Sequence, residues 1–135
     1  MDSSLKLIIF EEKRILQELM NLLDKQYNLI LSDEVVALDK VNEDIELIGK
    51  NLATIEIKRR DLIKDNNFKE IIENSYDKHL KDVYEEVKGL LRDIELQNDT
   101  NSTLIKQRLF FTNKMIDVIK PSKNIGTYNS YGNVR

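Results

Sequence analysis

Residues 94–119 read IELQNDTNSTLIKQRLFFTNKMIDVI, and the fold turns on whether the polar run Gln97-Asn98-Asp99-Thr100-Asn101 is loop or helix. By composition it is a loop. By spacing it is not. Leu104 lies ten residues after Ile94, one heptad plus three, and the apolar series then continues through Phe111, Met115 and Val118 with Arg108 in the intervening slot. A loop has no reason to keep helical phase, and neither Gly nor Pro occurs in the stretch. Upstream the same seam runs through Tyr76, Leu80, Val83, Val87 and Leu90. The spacing predicts one helix over about 77–119, on the order of 60 Å long at the usual rise, with a polar layer or a bend in its middle. Pro121 ends it.

Two further apolar patterns precede it. Ile8, Ile15, Leu22 and Leu29 repeat every seven residues, and Ile9, Leu16, Leu23 and Ile30 form a second stripe beside them. Leu5 and Leu19 fill between, and Glu12 and Gln26 interrupt. This is one wide apolar face on a helix over about 4–31, with Ser3 or Ser4 as N-cap. Ser32, Asp33 and Glu34 read as N-cap and first turn of a second helix. Its seam is Leu38, Val41, Ile45, Ile48, Leu52, Ile55 and Leu62, with Arg59 in one slot. So short a separation predicts an antiparallel hairpin or, as the second choice, one long rod. Folding about 32–33 makes residue i face about 65 − i, which leaves Arg59 roughly 9 Å along the axis from the point opposite Glu12. Long side chains can close that distance. Asp65-Asn66-Asn67 is the interior break, and Phe68, Ile71, Ile72 and Tyr76 follow as a short helix or the start of the third. The expected fold is all-α, an antiparallel bundle of three long helices with room for a short helix between the second and third.

The 135 residues are one domain's worth. Four Gly and one Pro are too few for the corners of an all-β fold. Without Cys there are no disulfides, thiolate zinc sites or cysteine nucleophiles. A net charge of −3 gives no broad cationic face, so neither nucleic acid nor anionic membrane is an expected partner. The longest aliphatic and aromatic run, Leu7-Ile8-Ile9-Phe10, is too short for a signal peptide or a membrane span. No membrane insertion is expected, and a soluble protein that stays where it is made is the default reading. Residues 121–135, PSKNIGTYNSYGNVR, hold two of the four Gly, no acid and little that could be buried. The expected organisation is a helical domain over 1–120 and a flexible tail over 121–135.

Catalytic chemistry finds little footing. His79 is the single histidine, which excludes a multi-histidine metal site. Helical phosphotransfer domains typically follow their His with a Lys three residues on and then a small residue. Here Lys81 is two on and Asp82 follows, where it would repel a phosphate. Tyr76 stands three before His79, so the Glu-x-x-His pair of di-iron bundles is missing. The glycines, at 49, 89, 126 and 132, form no phosphate loop. No catalytic residue, metal site or cofactor is expected, and the chain is read as a non-enzyme. Glu12, Arg59 and Arg108 read as seam ends or as polar layers that set register. One feature exceeds what a core requires. Leu104, Ile105, Leu109, Phe110, Phe111, Met115, Ile116, Val118 and Ile119 make 104–119 apolar around most of the helix. Such a helix must be covered on several faces, by a bend of its own or by a docked amphipathic helix.

In the order of these features the chain resembles the FlgN-type flagellar export chaperones. The resemblance spans nearly its whole length. It rests on the Leu-rich first helix, the second helix ALDKVNEDIELIGKNLATIEIKRRDLI, the third passing through QNDTNSTLIKQRLFF, and a tail with Tyr128, Tyr131 and Gly132. It implies a small ATP-independent cytoplasmic chaperone of flagellar type III export. Such a chaperone holds hook–filament junction (hook-associated) proteins before secretion and delivers them to the export gate. The resemblance places client binding in the C-terminal part, here Leu104, Ile105, Leu109, Phe110, Phe111, Met115, Ile116 and Ile119. It associates a tail tyrosine with gate docking, here Tyr128 or Tyr131. The free chain is expected as a monomer or weak homodimer. The alternative is a coiled-coil scaffold that self-associates through the same stripe.

Overall fold

The computed structural model describes residues 3–64 and 66–119. Four helices follow one another: α1 (Ser3–Leu31), α2 (Val35–Ile63), α3 (Phe68–Glu73) and α4 (Lys78–Ile119). Three are long, the short one lies where room was left for it, and no strand occurs among the described residues. α4 is continuous through 97–101, as the phase of Leu104 requires. The chain divides into two compact units, one ending at Asn101 and the other beginning at Ser102. The tail expected over 121–135 lies outside the described residues.

α1 takes in both Ser3 and Ser4, so Ser4 does not cap it. Its far end differs from expectation. Ser32 and Asp33 terminate α1 rather than begin α2. Asp33 adopts a left-handed φ of 58°. The Glu34 N–H donates to the Leu29 carbonyl at 3.2 Å and the Asp33 N–H to the Ile30 carbonyl at 3.3 Å. That crossed pair satisfies carbonyls a helix end would leave open. The Ser32 hydroxyl donates back to the Asn28 carbonyl at 3.0 Å. Glu34 is the N-cap of α2 by position and makes no side-chain capping bond. These residue types favour helix starts and also tolerate helix stops, so sequence pattern alone does not separate the two.

The turn also displaces the hairpin register. Gln26 pairs with Asn42, the Gln26 amide donating to Asn42 Oδ1 at 2.9 Å, three positions beyond a fold about 32–33. α1 and α4 run parallel to each other, tied by Lys6–Asp77 at 2.8 Å near one end and Lys13–Glu86 at 3.0 Å further along. Asp77 is the N-cap of α4 and accepts from the backbone N–H groups of His79 and Leu80. Tyr76 therefore precedes the helix and is fully exposed, not the first seam residue. Asn67 caps α3 in the same manner through the Glu70 N–H.

The two stripes of α1 go to two partners. Ile8, Ile15, Leu19 and Leu22 pack with Ile48, Leu52 and Ile55 of α2. Leu5, Ile9 and Leu16 pack with Leu80, Val83 and Val87 of α4 and with Ile72 of α3. At the level of Asn101 the apolar contact gives way to a polar chain through all three long helices. The Gln97 amide donates to Asn101 Oδ1 at 2.9 Å. Asn101 Nδ2 donates to the Leu23 carbonyl and to Gln26 Oε1, both at 2.8 Å. Gln26 then donates to Asn42. Asn101 is 1% exposed, so the layer is buried at its centre, where the amide is satisfied, and opens to solvent at the Gln26–Asn42 bond.

Two outcomes are expected on chemical denaturation monitored by circular dichroism. Asn101→Ala leaves Gln26 and Gln97 short of a buried partner and should lower stability by about 1–3 kcal/mol. Asp33→Gly removes the cost of a left-handed non-glycine residue and should raise stability by about 0.5–1 kcal/mol.

Candidate functional site

Two places in the fold carry side chains that the core alone does not account for. The first is a charged cluster between α1, α2 and α3. Glu12 is buried on α1, and its Oε1 lies 3.3 Å from Arg59 Nε. In the observed register Glu12 stands one turn from Arg59, and the arginine bridges that turn, as expected of two polar residues in seam slots. The Arg59 guanidinium lies 4.5 Å over the Phe68 ring, which makes an edge contact with Tyr84 at 5.4 Å. Arg59 Nη2 is 3.8 Å from Glu56. The Nε group is buried and its approach to Glu12 lacks hydrogen-bond geometry, so the contact is chiefly Coulombic. Burial pushes the Glu12 carboxyl up from its ordinary value, Arg59 opposing and Glu56 adding to the shift. The geometry of the cluster is that of a structural ion pair.

The second place is α4 from Ser102 onward. Leu104 and Ile105 are half-buried. Every residue from Leu109 to Ile119 is exposed, with Phe111 at 62%, Ile116 at 52% and Met115 at 43%. At about 100° per residue, Leu104, Ile105, Leu109, Phe111, Met115, Ile116, Val118 and Ile119 occupy about half of the helix circumference. Arg108 and Thr112 lie within that half. Phe110 stands apart, with the Lys114 ammonium 5.4 Å from its ring centre. The segment thus displays an apolar face with Arg108 near its middle and Lys106 and Lys114 beyond its two edges. Such a face suits the apolar stripe of another helix, with aromatic and aliphatic anchors spaced at one turn. Tyr128 and Tyr131 lie outside the described residues.

His79 is exposed at the start of α4 and is used through its backbone N–H. Among the described residues no group of three or more His, Asp or Glu is placed to hold a metal ion, and no helix is long and apolar enough to cross a membrane.

A helical hairpin, a third long helix parallel to its first arm, and an exposed apolar face on that helix define a helical binding protein. A family model described as FlgN protein matches residues 1–135, and the chain belongs to this family of flagellar export chaperones. No curated protein and no solved structure matches it.

The Glu12 shift has a definite sign. Its carboxyl holds a proton more readily folded than unfolded. Its contribution to stability is therefore most favourable below the ordinary value near 4.5 and declines as pH rises through the raised folded value. Glu11 and Asp77 are shifted down, by the Arg14 and Lys6 hydrogen bonds respectively, and act in the opposite sense. Denaturation midpoints of Glu12→Gln and the native chain, compared from about pH 4 to pH 7, should shift steadily in favour of the Gln variant. A pH-independent difference would mean that Glu12 titrates as an exposed carboxylate.

Proposed function

We propose that this chaperone holds hook–filament junction proteins in the cytoplasm through the 104–119 segment of α4 and delivers them to the export gate. Client binding falls to Leu104, Ile105, Leu109, Phe110, Phe111, Met115, Ile116 and Ile119. The supporting observation is the exposed half-face of α4, which is apolar and helical. A client helix laid along that face buries its own apolar stripe and is kept from aggregating. The cycle uses no nucleotide and no cofactor: capture and release are set by binding affinity alone. Residues 121–135, with Tyr128 and Tyr131, serve the second partner at the gate, so client and gate engage different parts of the chain.

The double variant Phe111→Ala with Met115→Ala tests the assignment, because both side chains are exposed and one turn apart. Calorimetric titration with the hook–filament junction protein of the same organism should show affinity reduced by about 1–4 kcal/mol, with unchanged far-ultraviolet circular dichroism. Native affinity in a folded variant would place the client elsewhere.

A further inference from the structure

α2 and α4 leave a groove open along α1. Leu19 and Leu23 form its floor, Ile45 and Gly49 one wall, and Leu91 and Ile94 the other, around a volume of about 520 Å³. A Cβ built on Gly49 meets nothing within 4 Å, so the groove reaches the α2 backbone. Three long helices with an open apolar flank are a four-helix bundle short of one member. Glu95 is the one charged residue in the lining, and the helices that form the two walls are net acidic along this length. Between 38 and 50, α2 carries four acids and two bases, and between 91 and 99, α4 carries three acids and one base. The missing member is therefore an amphipathic helix of basic character.

The chain itself contains such a helix. Residues 102–119 combine the exposed apolar half-face with three bases and one acid. They continue the helix that supplies one wall of the groove. A helix cannot lie beside itself, so the occupant comes from a second copy. We propose that two copies exchange these segments, each placing its 104–119 helix in the groove of the other.

The symmetry permits this. At about 100° per residue, Leu91, Ile94 and Asn98 share one side of α4 with Ile105, Leu109 and Ile116. Antiparallel pairing of the two α4 helices about a two-fold axis near Thr103 sets 104–119 of each opposite 87–102 of the other. Ile116 of one copy, on that shared side, then meets Leu91 of its partner. Six half-exposed apolar side chains present on the order of 100 Å² each. Two segments thus bury on the order of 1,200 Å² before the groove's own surface is counted, the lower bound of a specific interface. The exchange covers the face assigned to the client, so the second copy and the client compete. That competition rests on the client assignment above, whereas the dimer does not.

The cysteine-free sequence makes the test direct. Leu91→Cys and Ile116→Cys are made in separate full-length chains, mixed, and equilibrated in a glutathione redox buffer. A mixed disulfide should form in preference to either homodimer, and well above an Asp39→Cys plus Ile116→Cys control. Sedimentation of the native chain should show a dimer. Gly49→Trp fills the groove from a position with free space and replaces a poor helix former. It should raise the dimer dissociation constant by about tenfold or more. A monomeric native chain at high micromolar concentration, a Gly49→Trp variant that dimerises normally, or a mixed disulfide no stronger than the control would each overturn the exchange. Gly49→Trp should also bind the junction protein more tightly; unchanged affinity overturns the competition. Failure of that protein to bind any form removes the client assignment and the competition together, while the cross-link still decides the dimer.

Discussion

Everything in the first compact unit depends on the width of the apolar face of α1. A helix with a single stripe needs one neighbour. α1 carries two stripes one residue apart, and at about 100° per residue they cannot both face the same partner squarely. Ile8, Ile15 and Leu22 are satisfied by α2. Ile9 and Leu16 are satisfied by α4. α1 is thereby the shared member of two helix pairs. Burial of a fully covered Ile or Leu contributes about 1.5–3 kcal/mol. Ile9, Leu16 and Leu23 are each almost wholly removed from solvent, so this sharing is where the unit gains much of its stability.

The same arrangement explains the groove and the polar chain. Two helices held on either side of α1 are kept apart by it, and the space between them stays open where no fourth element enters. Apolar contacts alone would let α4 slide along α1 by a turn at modest cost. Asn101 prevents this, because its amide finds a main-chain carbonyl and the Gln26 side chain at one register only. A buried Asn displaced by one turn would lose both bonds. The Lys6–Asp77 and Lys13–Glu86 pairs agree with that register but are partly exposed and weaker.

Much of this was legible in the sequence, for identifiable reasons. Heptad phase survives a polar interruption, so Leu104 revealed the continuity of α4 across Gln97–Asn101. Glu12 and Arg59 could be placed together because both occupy slots that a seam otherwise fills with apolar residues. Other features were not legible. Asp33 looks like a helix start, since Ser, Asp and Glu serve there too, and only its left-handed φ shows that it closes α1. Tyr76 keeps the spacing of the α4 seam, and nothing in periodicity reveals that Asp77 caps the helix after it. The groove was invisible because a stripe states which face is buried and not how far apart two neighbours stand. The apolar density of 104–119 was plain to see, whereas its exposure is a property of the fold.

That exposed segment raises a physical question: why a helix stays helical where it has so little to pack on. An isolated helix of this length is marginal in water, because nucleation fixes several residues for one hydrogen bond. Residues 102–119 do not face that cost. They extend a helix whose earlier turns, at Leu80, Val83, Val87 and Asn101, are fixed by burial. Each further residue needs only propagation, which is near neutral for Leu, Ile, Lys, Arg and Met. An apolar face can thus be presented in its binding conformation without a core beneath it. A partner helix then meets a surface already ordered, and the ordering entropy that weakens many peptide complexes is small. The length of α4 and its exposed far end are two consequences of one design: the packed half supplies the nucleus, and the other half supplies the surface.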